Sequence, residues 1–148
     1  MNIRFLPLPA SFLYLVTALV FLVPQIRADT PMEKSWERLE KAFHKLRDRL
    51  KDPKDSNKET YVKLGAIIKE ETLICMELDP KMLKNVPPAE QETFLQNYRR
   101  DMAAFDADVD KLNAALQAGQ LVEAQNVITL LGKAKKEGHK AYREKDTK

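Results

Sequence analysis

L-Q-N-Y-R-R-D-M-A-A-F-D-A-D-V-D-K-L-N-A-A-L-Q-A-G, residues 95–119, carries the most regular apolar pattern in the chain. Leu95, Tyr98, Met102, Phe105, Val109, Leu112 and Leu116 recur at spacings of three and four, the period of a helix with one face turned to a core. Gly119 follows the last of them, where a helix commonly closes on a left-handed residue. A second pattern starts at once, with Leu121, Ala124, Ile128, Leu131, Gly138 and Tyr142. Two long amphipathic helices joined by a single tight turn predict neighbours in a bundle.

Working back from this hairpin, a helix is expected from about Lys58 to Leu78. Its inward residues would be Leu64, Ile67, Ile68, Ile74, Cys75 and Leu78, although Glu71 falls where an apolar residue is expected. Asp79-Pro80 ends it, and a loop containing Pro87-Pro88 leads to the next helix. The first helix opens on Thr30-Pro31-Met32-Glu33: a capping hydroxyl, proline at the first helical position and glutamate three residues after the cap. Its seam is Met32, Trp36, Leu39, Phe43, Leu46 and Leu50, and it stops at the D-P-K-D-S-N turn, residues 52–57. No segment alternates with period two, so the fold class is all-α, an antiparallel up-down-up-down four-helix bundle.

The first 28 residues are organised differently. Arg4 supplies a basic end, residues 10–23 are almost wholly apolar, and Ala28 is a candidate cleavage residue. This predicts a cleaved export signal over 1–28 and a bundle domain over 29–148, with a retained membrane anchor as the alternative. The chain holds 25 basic and 22 acidic side chains; without Arg4 and Arg27 the basic count is 23. So even a balance excludes the electrostatic footprint of nucleic-acid binding. Cys75 is the only cysteine, which rules out an internal disulfide and a C-x-x-C-H haem attachment. No G-x-S-x-G, H-E-x-x-H or phosphate-cradling glycine loop is present, and the expectation is a protein without catalytic activity. The acidic run D-A-D-V-D, residues 106–110, lies within the third helix and is read as a solvated face.

Counting along the helices at ~1.5 Å per residue brings Trp36, Cys75, Tyr98, Met102 and His139 to one end of the bundle. Apolar walls, one imidazole and the nearby Lys135 and Arg143 suit a cofactor layer. A histidine near a helix C-terminus can equally serve as a charge against the helix dipole, and on spacing alone both readings of His139 stand. His44 reads as a surface or boundary residue.

The stretch L-N-A-A-L-Q-A-G-Q-L-V-E-A-Q and the closing H-K-A-Y-R resemble the soluble cytochrome b562 family of bacterial periplasms. The resemblance implies one non-covalent haem b per chain at one end of the bundle, held by a methionine early in helix one and a histidine late in helix four. His139 matches the histidine, Tyr98 and Met102 fall where side chains pack on the haem, and Lys135 and Arg143 match basic residues near it. Trp36 stands at the methionine position, and an indole offers iron no lone pair. Met32, one turn earlier, and Met102 are the available thioethers. The resemblance implies a monomeric periplasmic electron carrier with a redox partner and no membrane contact after signal cleavage. Three outcomes are open: haem on His139 and a substitute methionine, haem on His139 alone under Trp36, or a haemless envelope protein in which Trp36 fills the pocket.

Overall fold

The computed structural model describes residues 30–143, and the expected signal over 1–28, with Ala28, lies outside them, as does the tail beyond Arg143. The described residues form four long helices and no strand: α1 (Pro31–Arg49), α2 (Lys58–Glu77), α3 (Gln91–Ala118) and α4 (Leu121–Tyr142). Short 3-10 turns, Lys81–Asn85 and Pro88–Glu90, occupy the connection between α2 and α3. Each helix packs on the next in sequence, and α4 returns to α1, so the four form a bundle.

Local chemistry explains where the helices begin and end. The Thr30 hydroxyl accepts from the Glu33 backbone N–H at 3.3 Å, and the Glu33 carboxylate accepts from the Thr30 N–H at 2.7 Å. That reciprocal pair satisfies two of the donors that a helix start leaves open. Lys81 pairs with the same carboxylate from the α2–α3 connection. These contacts hold the Glu33 carboxyl down at about 2, the Lys81 hydrogen bond contributing most. Gly119 closes α3 at φ 73°, and the Gln120 N–H reaches back to the Ala115 carbonyl at 2.9 Å. In the first turn the Lys54 N–H donates to the hydroxyl of the fully buried Tyr61 at 2.9 Å, which ties the loop to the core.

The main core runs from Leu39 to Leu50 on α1, Tyr61 to Ile68 on α2, Phe105 to Leu116 on α3 and Ala124 to Leu131 on α4. A second, smaller cluster of Met32, Cys75, Tyr98 and Met102 lies at the other end. Trp36 packs against both.

Three expectations for the helix faces need correction. Ile67 points outward and is 39% exposed, whereas Glu71 takes the inward place and is 4% exposed. The reason is Arg38 on α1, whose guanidinium meets both oxygens of the Glu71 carboxylate, the Nη2 bond measuring 3.0 Å. Ile74 and Leu95 are only half-buried. Finally, the acidic run on α3 is not simply solvated. Lys69 of α2 reaches Asp106 and Asp110, each at 2.7 Å, so two of its three carboxylates brace neighbouring helices.

The Arg38–Glu71 pair is asymmetric, because the guanidinium reaches water and the carboxylate does not. Removing the cation strands a buried charge; removing the anion leaves one that solvent can satisfy. Arg38→Ala is therefore expected to lower the urea midpoint more than Glu71→Leu does. Equal midpoints in the two variants would contradict that asymmetry.

Candidate functional site

α4 changes character halfway along. Ala124, Val127, Ile128 and Leu131 are buried, but no residue from Gly132 to Tyr142 is. The intervening sequence explains this: G-K-A-K-K-E-G-H-K-A offers no large apolar side chain to the interior. Contact between α1 and α4 is correspondingly sparse. The space left is a cleft of about 890 Å³ among α1, α3 and α4. That volume lies within the range of cofactor and ligand sites, about 300–1,000 Å³.

All seven residues singled out from the sequence line this cleft: Met32, Trp36, Tyr98, Met102, Lys135, His139 and Arg143. The layer expected from residue counting is thus present, except that Cys75 does not reach the cleft. It sits fully buried behind Tyr98, whose hydroxyl donates to the Cys75 carbonyl at 2.8 Å. Burial, followed by the Glu71 charge, pushes its thiol up to about 12. Such a thiol stays protonated and unreactive.

His139 lies edge-on to Trp36, with ring centroids 5.4 Å apart and planes at 76°. Burial draws its pKa below the ordinary value; Glu40 opposes this, and Arg143 and Lys135 add to it. The imidazole is therefore neutral near pH 7 and keeps a ring lone pair for a ligand. Lys135 is already engaged. Its ammonium bonds Glu40 at 3.0 Å and lies 5.1 Å from the centre of the Phe43 ring. Burial alone would raise the Glu40 carboxyl, but the bond and charge of Lys135 hold it below its usual value. Arg143 lies at the exposed end of α4. His44 is exposed and meets Arg47 at 3.0 Å, away from the cleft.

No family model, curated protein or solved structure matches this chain. The geometry of the cleft therefore carries the functional argument.

Two contributors were not singled out from the sequence. Glu40 lies one helical turn beyond Trp36 on the same stripe, a spacing that could have marked it as facing the cleft. Asp101, beside Met102, accepts from the Tyr142 hydroxyl at 2.6 Å and ties the last turn of α4 to α3. Tyr142 also packs edge-on against Tyr98 and Phe94, at 5.2 and 5.4 Å. Nothing in the local pattern announces this latch, because its partners are 41 residues apart. Among the described residues no three His, Cys, Asp or Glu side chains converge to hold a metal, and no helix is long and apolar enough to cross a membrane.

Two glycines report on the open and closed parts of the bundle. A Cβ at Gly138 would meet nothing within 4 Å, whereas one at Gly65 would overlap the Asn113 amide and lie 2.9 Å from Leu116 Cδ1. Alanine is favoured over glycine within a helix by about 1 kcal/mol. Gly138→Ala should gain about that much in urea denaturation. Gly65→Ala should show a net loss, since the Asn113 amide and the fully buried Leu116 side chain must both shift. Equal effects at both positions would contradict the assigned packing.

Proposed function

We propose that the cleft holds one haem b, non-covalently, with His139 as an axial ligand, and that the protein is a small electron carrier of the cytochrome b562 type. The observation that carries this reading is the half-buried His139 in a cofactor-sized cleft, where Trp36, Met32, Met102 and Phe105 give apolar surface among charged side chains such as Glu40 and Lys135. On this reading the order of the helices is antiparallel, up-down-up-down. Mirror-like cross-helix contacts support that order: Trp36 with His139 and Glu40 with Lys135 between α1 and α4, and Tyr98 with Cys75 and Asp106 with Lys69 between α3 and α2. An exported, monomeric carrier meeting a periplasmic redox partner, with no catalytic role and no membrane contact after signal cleavage, completes the proposal.

The residues present fit such a group. Met32, Trp36, Met102 and Phe105 offer apolar surface for a macrocycle, and Tyr98 closes the wall behind them. His139 supplies the nitrogen donor, with Met32 and Met102 as the thioethers available for a second position. Arg143 lies on the lining, and so do Lys81 and Lys135, which are bonded to Glu33 and Glu40 and would share those bonds with the propionates. Haem so held would supply a one-electron couple whose potential follows from its axial ligands and its burial.

The haemless alternative has its own support. Trp36 packs on both apolar clusters and on the His139 ring, so the indole already fills part of the space between the helices. In that case the protein is a structural or protein-binding module of the envelope.

Titration of the purified protein with haem, read by absorption in both oxidation states, separates these readings. The expected result is saturation at one haem per chain, with affinity reduced at least tenfold in His139→Ala. Absence of a stoichiometric endpoint would overturn the haem proposal and leave the haemless module.

A further inference from the structure

Sulfur is distributed very unevenly in this molecule. The main core of Leu39 to Leu131 contains no methionine and no cysteine. The small cluster at the open end contains Met32, Cys75 and Met102, with Met76 packed against it. Met82, the remaining sulfur among the described residues, lies in the turn Lys81–Asn85, which Lys81 joins to Glu33 near the start of α1. All the described sulfur atoms are thus carried at the end of the bundle where the cleft opens.

Two of them belong to the cleft itself. Met32 and Met102 line it, each 7% exposed, together with His139 and Trp36. Asp101, bonded to Tyr142, sets Met102 close to the level of His139 on the neighbouring helix. Trp36 approaches His139 from α1, and Met32 lies one turn before Trp36 on the same helix face.

We infer that this cleft binds a soft monovalent metal ion, Cu(I), through the Met102 and Met32 thioethers and the His139 imidazole, with Trp36 against the site. Softness decides the choice of ion. Thioethers bind Zn²⁺, Mg²⁺ and Ca²⁺ poorly, and those ions need three or more nitrogen, thiolate or carboxylate donors that the described residues do not bring together. Cu(I) takes thioether sulfur readily and accepts low coordination numbers, whereas Cu(II) prefers tetragonal nitrogen and oxygen sites. The Trp36 ring, 5.4 Å from His139 between centroids, adds an aromatic wall beside the site. Cys75 takes no part, since it is fully buried and does not line the cleft. Association moves no electron, because each donor gives a lone pair to the ion and no bond in it is broken. The inference does not rest on the haem proposal. The two ligands share His139 and exclude one another.

Methionine is also an adaptable packing residue, and a packing role alone would make no demand on the metal. The test is an anaerobic titration of haem-free protein with Cu(I), against the chromophoric chelator bicinchoninate, with the fluorescence of Trp36 as a second readout. Trp36 is the sole tryptophan, so the signal belongs to the cleft. One Cu(I) per chain is expected, with quenching complete at the same endpoint. Met102→Leu and Met32→Leu conserve volume and so should keep the fold, to be checked by circular dichroism. Each should weaken Cu(I) binding at least tenfold. Met82→Leu and His44→Ala, outside the cleft, should bind as the native protein does. Failure to compete with the chelator would overturn the inference. So would native affinity in a folded Met32→Leu/Met102→Leu double variant, or an equal loss in Met82→Leu.

Discussion

The bundle is held shut only as far as α4 can supply large apolar side chains to its neighbours. Ala124, Val127, Ile128 and Leu131 meet the seam of α1 that runs from Leu39 to Leu50 and the half of α3 that ends at Leu116. Past Leu131 the helix offers Gly132, Ala134, Gly138 and Ala141, and its larger residues there are charged apart from His139 and Tyr142. Burial of apolar surface, at roughly 25 cal/mol per Å², favours closure of the first half and gives little reason to close the second. The cleft is the direct consequence. Trp36, packed on both clusters, marks the boundary between them.

Helices that are not drawn together by apolar contact still need a fixed spacing, and polar contacts between elements provide it. Lys135 to Glu40 links α4 with α1, Tyr142 to Asp101 links α4 with α3, and Arg38 to Glu71 links α1 with α2. Lys69 with Asp106 and Asp110 joins α2 to α3. Exposed pairs contribute little, but those with a buried member cost much to break and so set which surfaces face each other. Glu71 and Lys135 are the two most buried charged groups in this set. Burial within this arrangement draws the His139 pKa below its ordinary value.

Helix starts, helix ends and the grouping of residues at one end of the bundle were legible in the sequence. The Thr30 capping box, the Gly119 closure and the counts from each turn depend only on local chemistry and a constant rise per residue. Trp36, Tyr98, Met102, Lys135, His139 and Arg143, grouped in that way, line one cleft, whereas Cys75 does not reach it and Met32 was singled out only through the cytochrome resemblance. The polar interior was less legible. Glu71 seemed to interrupt a stripe, because its partner Arg38 lies 33 residues away. Asp106 and Asp110 looked solvated because Lys69 is 37 residues from the nearer of them. Periodicity assigns a face to a residue, but only tertiary contact decides whether a charge on that face has a partner.

Native-state hydrogen exchange along α4, measured in the haem-free protein and again after adding haem, tests the account most directly. Amides from Ala124 to Leu131 should exchange only on global unfolding, while those from Gly132 to Tyr142 should open locally and far faster. Addition of haem should slow the second group and leave the first unchanged. Uniform protection along the whole helix in the haem-free protein would contradict the claim that one end of this bundle is built open for a ligand.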